Sequence, residues 1–128
     1  MIRELVIETV TAAGNVRKAA PTWSDVEAAI LQLDGTTCRG VSLMTGDATG
    51  MSITGGRGHL VLCEVIIASK SDAILVDPLA NEESVVQIEE PADCAYPARF
   101  AVARSRAIEA ARYFCKHGDK NPSLAWEP

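Results

Sequence analysis

Helix-like sequence at both ends of a run of strand-like segments is the feature that most constrains this chain. From Pro21 to Leu33, and again from Arg104 to Gly118, apolar residues recur at helical spacing. Between them the chain breaks into short apolar segments separated by turns rich in Gly, Thr and Asp. An order of helix, several strands and helix is not the alternating βαβ pattern that builds a parallel sheet. It reads as α+β: a mainly antiparallel sheet with an early helix and a C-terminal helix packed on it. A chain of 128 residues can bury one independent core, so a single domain over residues 1–128 is expected.

The first helix announces its start. In Pro21-Thr22-Trp23-Ser24-Asp25-Val26-Glu27, Thr22 can cap with Asp25 reaching back, and Ser24 with Glu27 offers the same arrangement two residues later. Trp23, Val26, Ile30 and Leu33 form a stripe that predicts the buried face, with Trp23 as a core anchor, and Asp34-Gly35 ends the helix. Ahead of it, Leu5 to Ile7 reads as a short strand and Thr11 to Ala20 as a loop. In the second helix Ala107, Ala110 and Phe114, with Ile108, Ala111 and Cys115, oppose a charged outer face of Arg104, Arg106, Glu109, Arg112 and Lys116. Gly118 is its natural stop. Trp126, so close to the C-terminus, is expected to fold back onto the body.

In the middle, Val41 to Met44 and Met51 to Ile53 flank Thr45-Gly46-Asp47-Ala48-Thr49-Gly50 as a hairpin. His59 to Ala68 is dense in Leu, Val and Ile and predicts a central strand covered on both faces. Ala73 to Val76, Ser84 to Ile88 and Arg99 to Val102 are further candidate strands.

Catalytic signatures are scarce. Gly55-Gly56-Arg57-Gly58 lies between strand-like segments, lacks the Gly-Lys-Ser/Thr ending of a P-loop and opens no helix, so it reads as a turn needing positive backbone angles. The nucleophile elbow, the paired-histidine zinc motif and the zinc-deaminase pattern do not occur. Cys38, Cys63, Cys94 and Cys115 are widely spaced and stand at no ligand spacing with His59 or His117, so reduced, buried thiols are expected. His117 near a helix C-terminus has a plain electrostatic reason to be there. No catalytic residue, cofactor or metal is therefore assigned. With no apolar run of membrane-spanning length and no signal-like start, the chain is expected to be cytoplasmic, with no membrane partner.

Charge is segregated. Between Ser71 and Ala98 the chain carries Asp72, Asp77, Glu82, Glu83, Glu89, Glu90 and Asp93 and not one Lys or Arg; from Arg99 to Lys120 the balance is basic. With a net charge of -5, direct binding to nucleic acid is not expected, and a basic protein partner is, because complementary fields speed association and fix orientation.

The order and spacing of three pieces add a resemblance. Pro21 to Ile30 followed by Leu33-Asp34-Gly35, the glycine-rich Met51 to Gly56 hairpin, and the Ala107 to Gly118 helix closed by Trp126-Glu127 resemble the first-numbered immunity-protein family of bacterial polymorphic toxin systems. The resemblance covers most of the chain beyond residue 20. It implies a small cytosolic α+β protein that binds and neutralises a cognate toxin domain, often a nucleic-acid deaminase, and it implies no catalytic residue. In that setting the acidic run becomes the candidate toxin interface, occupying a basic substrate channel in place of phosphates. The alternative is a small α+β ligand-binding protein or enzyme, whose sign would be a pocket over the sheet gathering Arg57, His59 and an acidic residue.

Overall fold

The structure, a computed structural model, describes residues 2–9, 14–46, 48–68, 72–80, 85–86 and 96–128. Along the chain come β1 (Glu4–Thr9), β2 (Val16–Ala19), α1 (Trp23–Leu31), β3 (Cys38–Met44), β4 (Gly50–Gly55), β5 (Leu60–Ile66), β6 (Ala73–Leu75), β7 (Val85–Val86), β8 (Tyr96–Pro97), β9 (Val102–Ala103), α2 (Arg104–His117) and β10 (Trp126–Glu127). Eight strands form one antiparallel sheet in the order β10-β6-β5-β4-β3-β1-β2, with β9 also pairing β5, while β7 and β8 pair with each other. Early helix, mainly antiparallel sheet and closing helix are thus the α+β order that the sequence predicts.

Alternation along each strand makes the sheet one-sided. Strand register lines up Leu5, Leu43, Met51 and Val65 in one buried row and Val41, Ile53 and Cys63 in the next, all on the face that receives the helices. Against these rows stand Val26, Ala29, Ile30 and Leu33 of the first helical segment and Ala107, Ala110, Ala111 and Phe114 of the second, in a single core cluster. Three alanines on one stripe keep α2 slim, so Phe114, fully buried, can reach the centre; burying a side chain of that size contributes roughly 1.5–3 kcal/mol.

Local chemistry explains the element boundaries. Of the two caps available, the structure uses Thr22: its hydroxyl accepts from the Asp25 N–H at 3.2 Å and its own N–H donates to Asp25 Oδ2 at 2.8 Å. That N–H, and then Lys18 at 2.9 Å, hold the Asp25 carboxyl down to about 2. Beyond α1, Asp34 closes the turn into β3, its Oδ1 accepting the N–H groups of Thr36, Thr37 and Cys38 at 2.8, 2.9 and 3.0 Å and its Oδ2 the Thr37 hydroxyl at 2.6 Å. Gly118, with φ 67°, ends α2 and donates to Phe114 O at 2.8 Å. Trp126 does fold back: it pairs with Leu75, and its indole N–H donates to Asn121 O at 2.8 Å.

Four expectations are corrected. Residues 16–19, read as loop, form edge strand β2, because β1 offers a free edge opposite them. The central strand β5 is not covered on both faces: Val61, Cys63 and Val65 are buried, whereas Leu62 and Glu64 on the other side are half-buried. Residues 98–100 form a single 3-10 turn, leaving only Val102–Ala103 to pair with β5. Trp23 is half-buried at the margin of the core and is not an anchor within it. Of the Ser84 to Ile88 expectation, only Val85–Val86 falls within the described residues.

Close approach of backbone makes Gly56 costly to replace. Gly56 has φ 115°, and a Cβ there would lie 2.4 Å from both the carbonyl carbon and the oxygen of Leu33. Gly118 shares the positive φ but has open space around it. Gly56→Ala is therefore expected to cost about 3 kcal/mol or more and Gly118→Ala about 1 kcal/mol, read from urea unfolding; equal losses would refute the close approach. A second test concerns Asp34. The Thr37 hydroxyl first, then the backbone donors, hold its carboxyl below the ordinary range, so the stability it contributes is present above pH ~4 and is lost as pH falls below that. Asp34→Asn should lower the urea midpoint at pH 7, and the gap to wild type should narrow by pH 3. A gap of constant size would mean that charge plays no part.

Candidate functional site

Of the acidic residues expected to form an interface, the structure describes two. Asp72 is exposed just ahead of β6. Asp77 is half-buried and works in a turn: its Oδ1 accepts the Leu79 N–H at 3.0 Å, and its own N–H donates to Arg99 O at 2.7 Å. Glu82, Glu83, Glu89, Glu90 and Asp93 lie outside the described residues.

A different set of carboxylates is placed on one face by the sheet. Because Leu5, Val41, Ile53 and Cys63 face the helices, their strand neighbours face the other way. Glu4 and Glu8 of β1, Glu64 of β5 and Glu127 of β10 share that outer face with Ser42, Ser52 and Thr54. The register sets Ser42 opposite Ser52, Ser52 opposite Glu64, Glu64 opposite Ile74 and Ile74 opposite Glu127, a row of short or acidic side chains broken by one isoleucine. Two of the four glutamates have cationic partners: Arg17 meets Glu4 at 3.1 Å, and Arg99 pairs with Glu127. Glu8 lies over Gly40, where an added Cβ would come within 3.0 Å of its carboxylate, so glycine is what gives that side chain its place. Among the described residues both helices lie on the opposite side, and this face sets the glutamates among Val6, Met44, Leu62, Ile66 and Ile74, which the same register places beside them; Asp72 stands at its end with the same sign of charge.

These glutamates escape a linear reading because they come from β1, β5 and β10, far apart in the chain. The trace they leave is period-two alternation: Glu4-Leu5 and Ile7-Glu8 in β1, and Cys63-Glu64-Val65 in β5.

Groups able to do covalent or metal chemistry do not converge with them. Arg57 and His59 are exposed on the turn between β4 and β5, where His59 has φ 65°. Among the described residues no group of three His, Cys, Asp or Glu could hold a metal ion, and no helix is long and apolar enough to cross a membrane. Cys38, Cys63 and Cys115 are free thiols, and Cys94 lies outside the described residues. Burial, and then the neighbouring Glu64, push the Cys63 thiol up to about 12, so it stays protonated at neutral pH. A scan against protein-family models, a search of curated proteins and a search of solved structures found no match to the chain. The family resemblance therefore rests on the residues quoted for it.

The thiols give this arrangement a direct check. In native protein Cys63 should resist Ellman's reagent and react only on unfolding, which peptide mapping of the labelled chain resolves; labelling of Cys63 under native conditions would contradict a closed core between sheet and helices.

Proposed function

We propose that this chain is an immunity protein: a cytoplasmic, non-catalytic binder that neutralises a cognate bacterial toxin domain of the nucleic-acid deaminase kind by keeping substrate from its active site. The observation that carries the reading is the set of glutamates on the outer face of the sheet, Glu8 and Glu64 among them, which adds to the acidic residues that the sequence carries from Asp72 onward. A toxin domain acting on DNA or RNA needs a basic channel for phosphates. Carboxylates held on strands are fixed in spacing by the backbone ladder, so they lose less freedom on docking than carboxylates on mobile segments do. Hydroxyls of Ser42 and Ser52 supply hydrogen-bonding capacity between them without projecting far from the sheet. Attraction between these carboxylates and a basic toxin surface would govern the rate of association, while the contacts made by the sheet face would govern how long the pair persists.

The decisive experiment is co-expression with a toxin domain encoded beside its gene, scoring survival and then co-purification. Survival with a stable one-to-one complex is expected. Reversing Glu8 and Glu64 together, and separately Glu82, Glu83, Glu89 and Glu90, to Lys should each slow association on the order of tenfold at low salt, with less effect at high salt. Unchanged association in both variants would remove the acidic surfaces from the mechanism while leaving immunity in place. Failure to rescue or to bind would remove the immunity reading itself.

A further inference from the structure

On the helix layer, away from the acidic sheet face, a groove of about 480 Å³ opens between the start of α1 and the outer side of α2. We propose that it is a binding site for a small amphiphilic anion, a carboxylate with a compact apolar body. Three observations meet there.

Its walls are mostly apolar: Ile2, Pro21, Trp23 and Cys115 line it. Two cations, Arg112 and Lys116, stand over those walls, one helical turn apart on the same stripe of α2, and no carboxylate lines the groove among the described residues. The Arg112 guanidinium sits 5.9 Å from the centroid of the Trp23 ring, a cation–π contact that holds its charge at the wall. Burial pushes the Cys115 thiol up, so it stays neutral and leaves the groove with charge of one sign.

The size decides for a small molecule over a macromolecule. Pockets for small ligands run from roughly 300 to 1,000 Å³, mostly apolar with a few placed polar groups, and this groove has that make-up. A carboxylate held between Arg112 and Lys116 would make charge-assisted hydrogen bonds, with its apolar body against Ile2 and Pro21 and the exposed part of the indole. Trp23 is only half-buried despite standing at a helical core position, and a ligand would cover what the core leaves open. The site is independent of the toxin-binding reading, because it lies on the other side of the sheet and uses none of the same residues.

The test uses 2-naphthoate as the probe and 2-naphthamide as its uncharged counterpart, followed by amide and side-chain chemical shifts of the whole chain. Naphthoate should shift residues 20–24 and 112–116 in a saturable way, and naphthamide should bind at least tenfold more weakly. Arg112→Gln combined with Lys116→Gln, both exposed positions, should weaken naphthoate about tenfold while the fold is retained, the melting temperature falling by no more than a few degrees with the loss of the contact to Trp23. Raising the salt concentration should weaken naphthoate and leave naphthamide unaffected. Shifts scattered outside the groove, equal affinity for acid and amide, or full affinity in the double variant would each overturn the proposal. So would the absence of saturable shifts up to the solubility of the probe.

Discussion

The guanidinium of Arg104 is the joint on which the two layers depend. It donates to the carbonyls of Leu31 at 3.4 Å, of Leu33, and of Gly56 at 3.3 Å, joining the end of α1, the turn after β4 and the beginning of α2. The last carbonyls of a helix have no partner within it, and a cation beside them also meets the negative end of the helix dipole. At its own position the same residue is locally unfavourable. It opens α2, where Ala103 provides no side-chain cap and the first turn has no acid, so its charge faces the positive end of a helix. The cost at α2 is offset at α1, and this exchange makes sense only in the folded protein. Gly56 completes the joint by letting backbone touch backbone at Leu33, which brings its carbonyl within reach of the guanidinium.

Around that joint the molecule divides into a covered and an uncovered face. Both helices are held on one side of the sheet, so every second residue of β1, β3, β4 and β5 enters the core and the remainder look outward. The uncovered face carries Ser42, Ser52, Thr54, Glu8 and Glu64, but the same register also puts Val6, Met44, Leu62, Ile66 and Ile74 there, with Met44 and Ile66 exposed. The uncovered face is thus mixed, with acidic and hydroxyl-bearing side chains set among apolar ones. What lends it further meaning is its sign: four glutamates against the two cations that pair with them.

Much of the fold was legible because it is written locally. The Thr22–Asp25 capping box, the Val41–Met44 and Met51–Ile53 hairpin, and the stop at Gly118 each depend on residues within a few positions of one another, and each appears in the structure where its signal lies. What was illegible depends on partners far along the chain. Val16 to Ala19 is exposed throughout and shows no apolar alternation; it is a strand because β1 presents an edge, a tertiary fact. Arg104 reads as one more charge on an outer face, since nothing adjacent in the sequence reveals the three carbonyls it meets. That Glu8 and Glu64 share a face follows only once the register across β3 and β4 is known. The acidic run is the reverse case, plain in the sequence and mostly outside the described residues.

Trp23 carries the same lesson to the helix layer. By spacing it belongs with Val26, Ile30 and Leu33, yet it stands in the first turn of α1 and packs against the core with only part of its ring covered. A large aromatic at such a place either leaves apolar surface in water or is covered by something from elsewhere. Here the cover within the chain is partial and cationic, Arg112 at 5.9 Å from the ring centroid, with Lys116 beyond it. A protein needing only to bury this indole would be better served by a leucine or isoleucine at position 112, which would close over it without leaving a groove. Positive charge set beside exposed apolar surface satisfies neither the core nor the solvent fully, and that combination is the physical reason to look for an anion with an apolar body in the gap between α1 and α2.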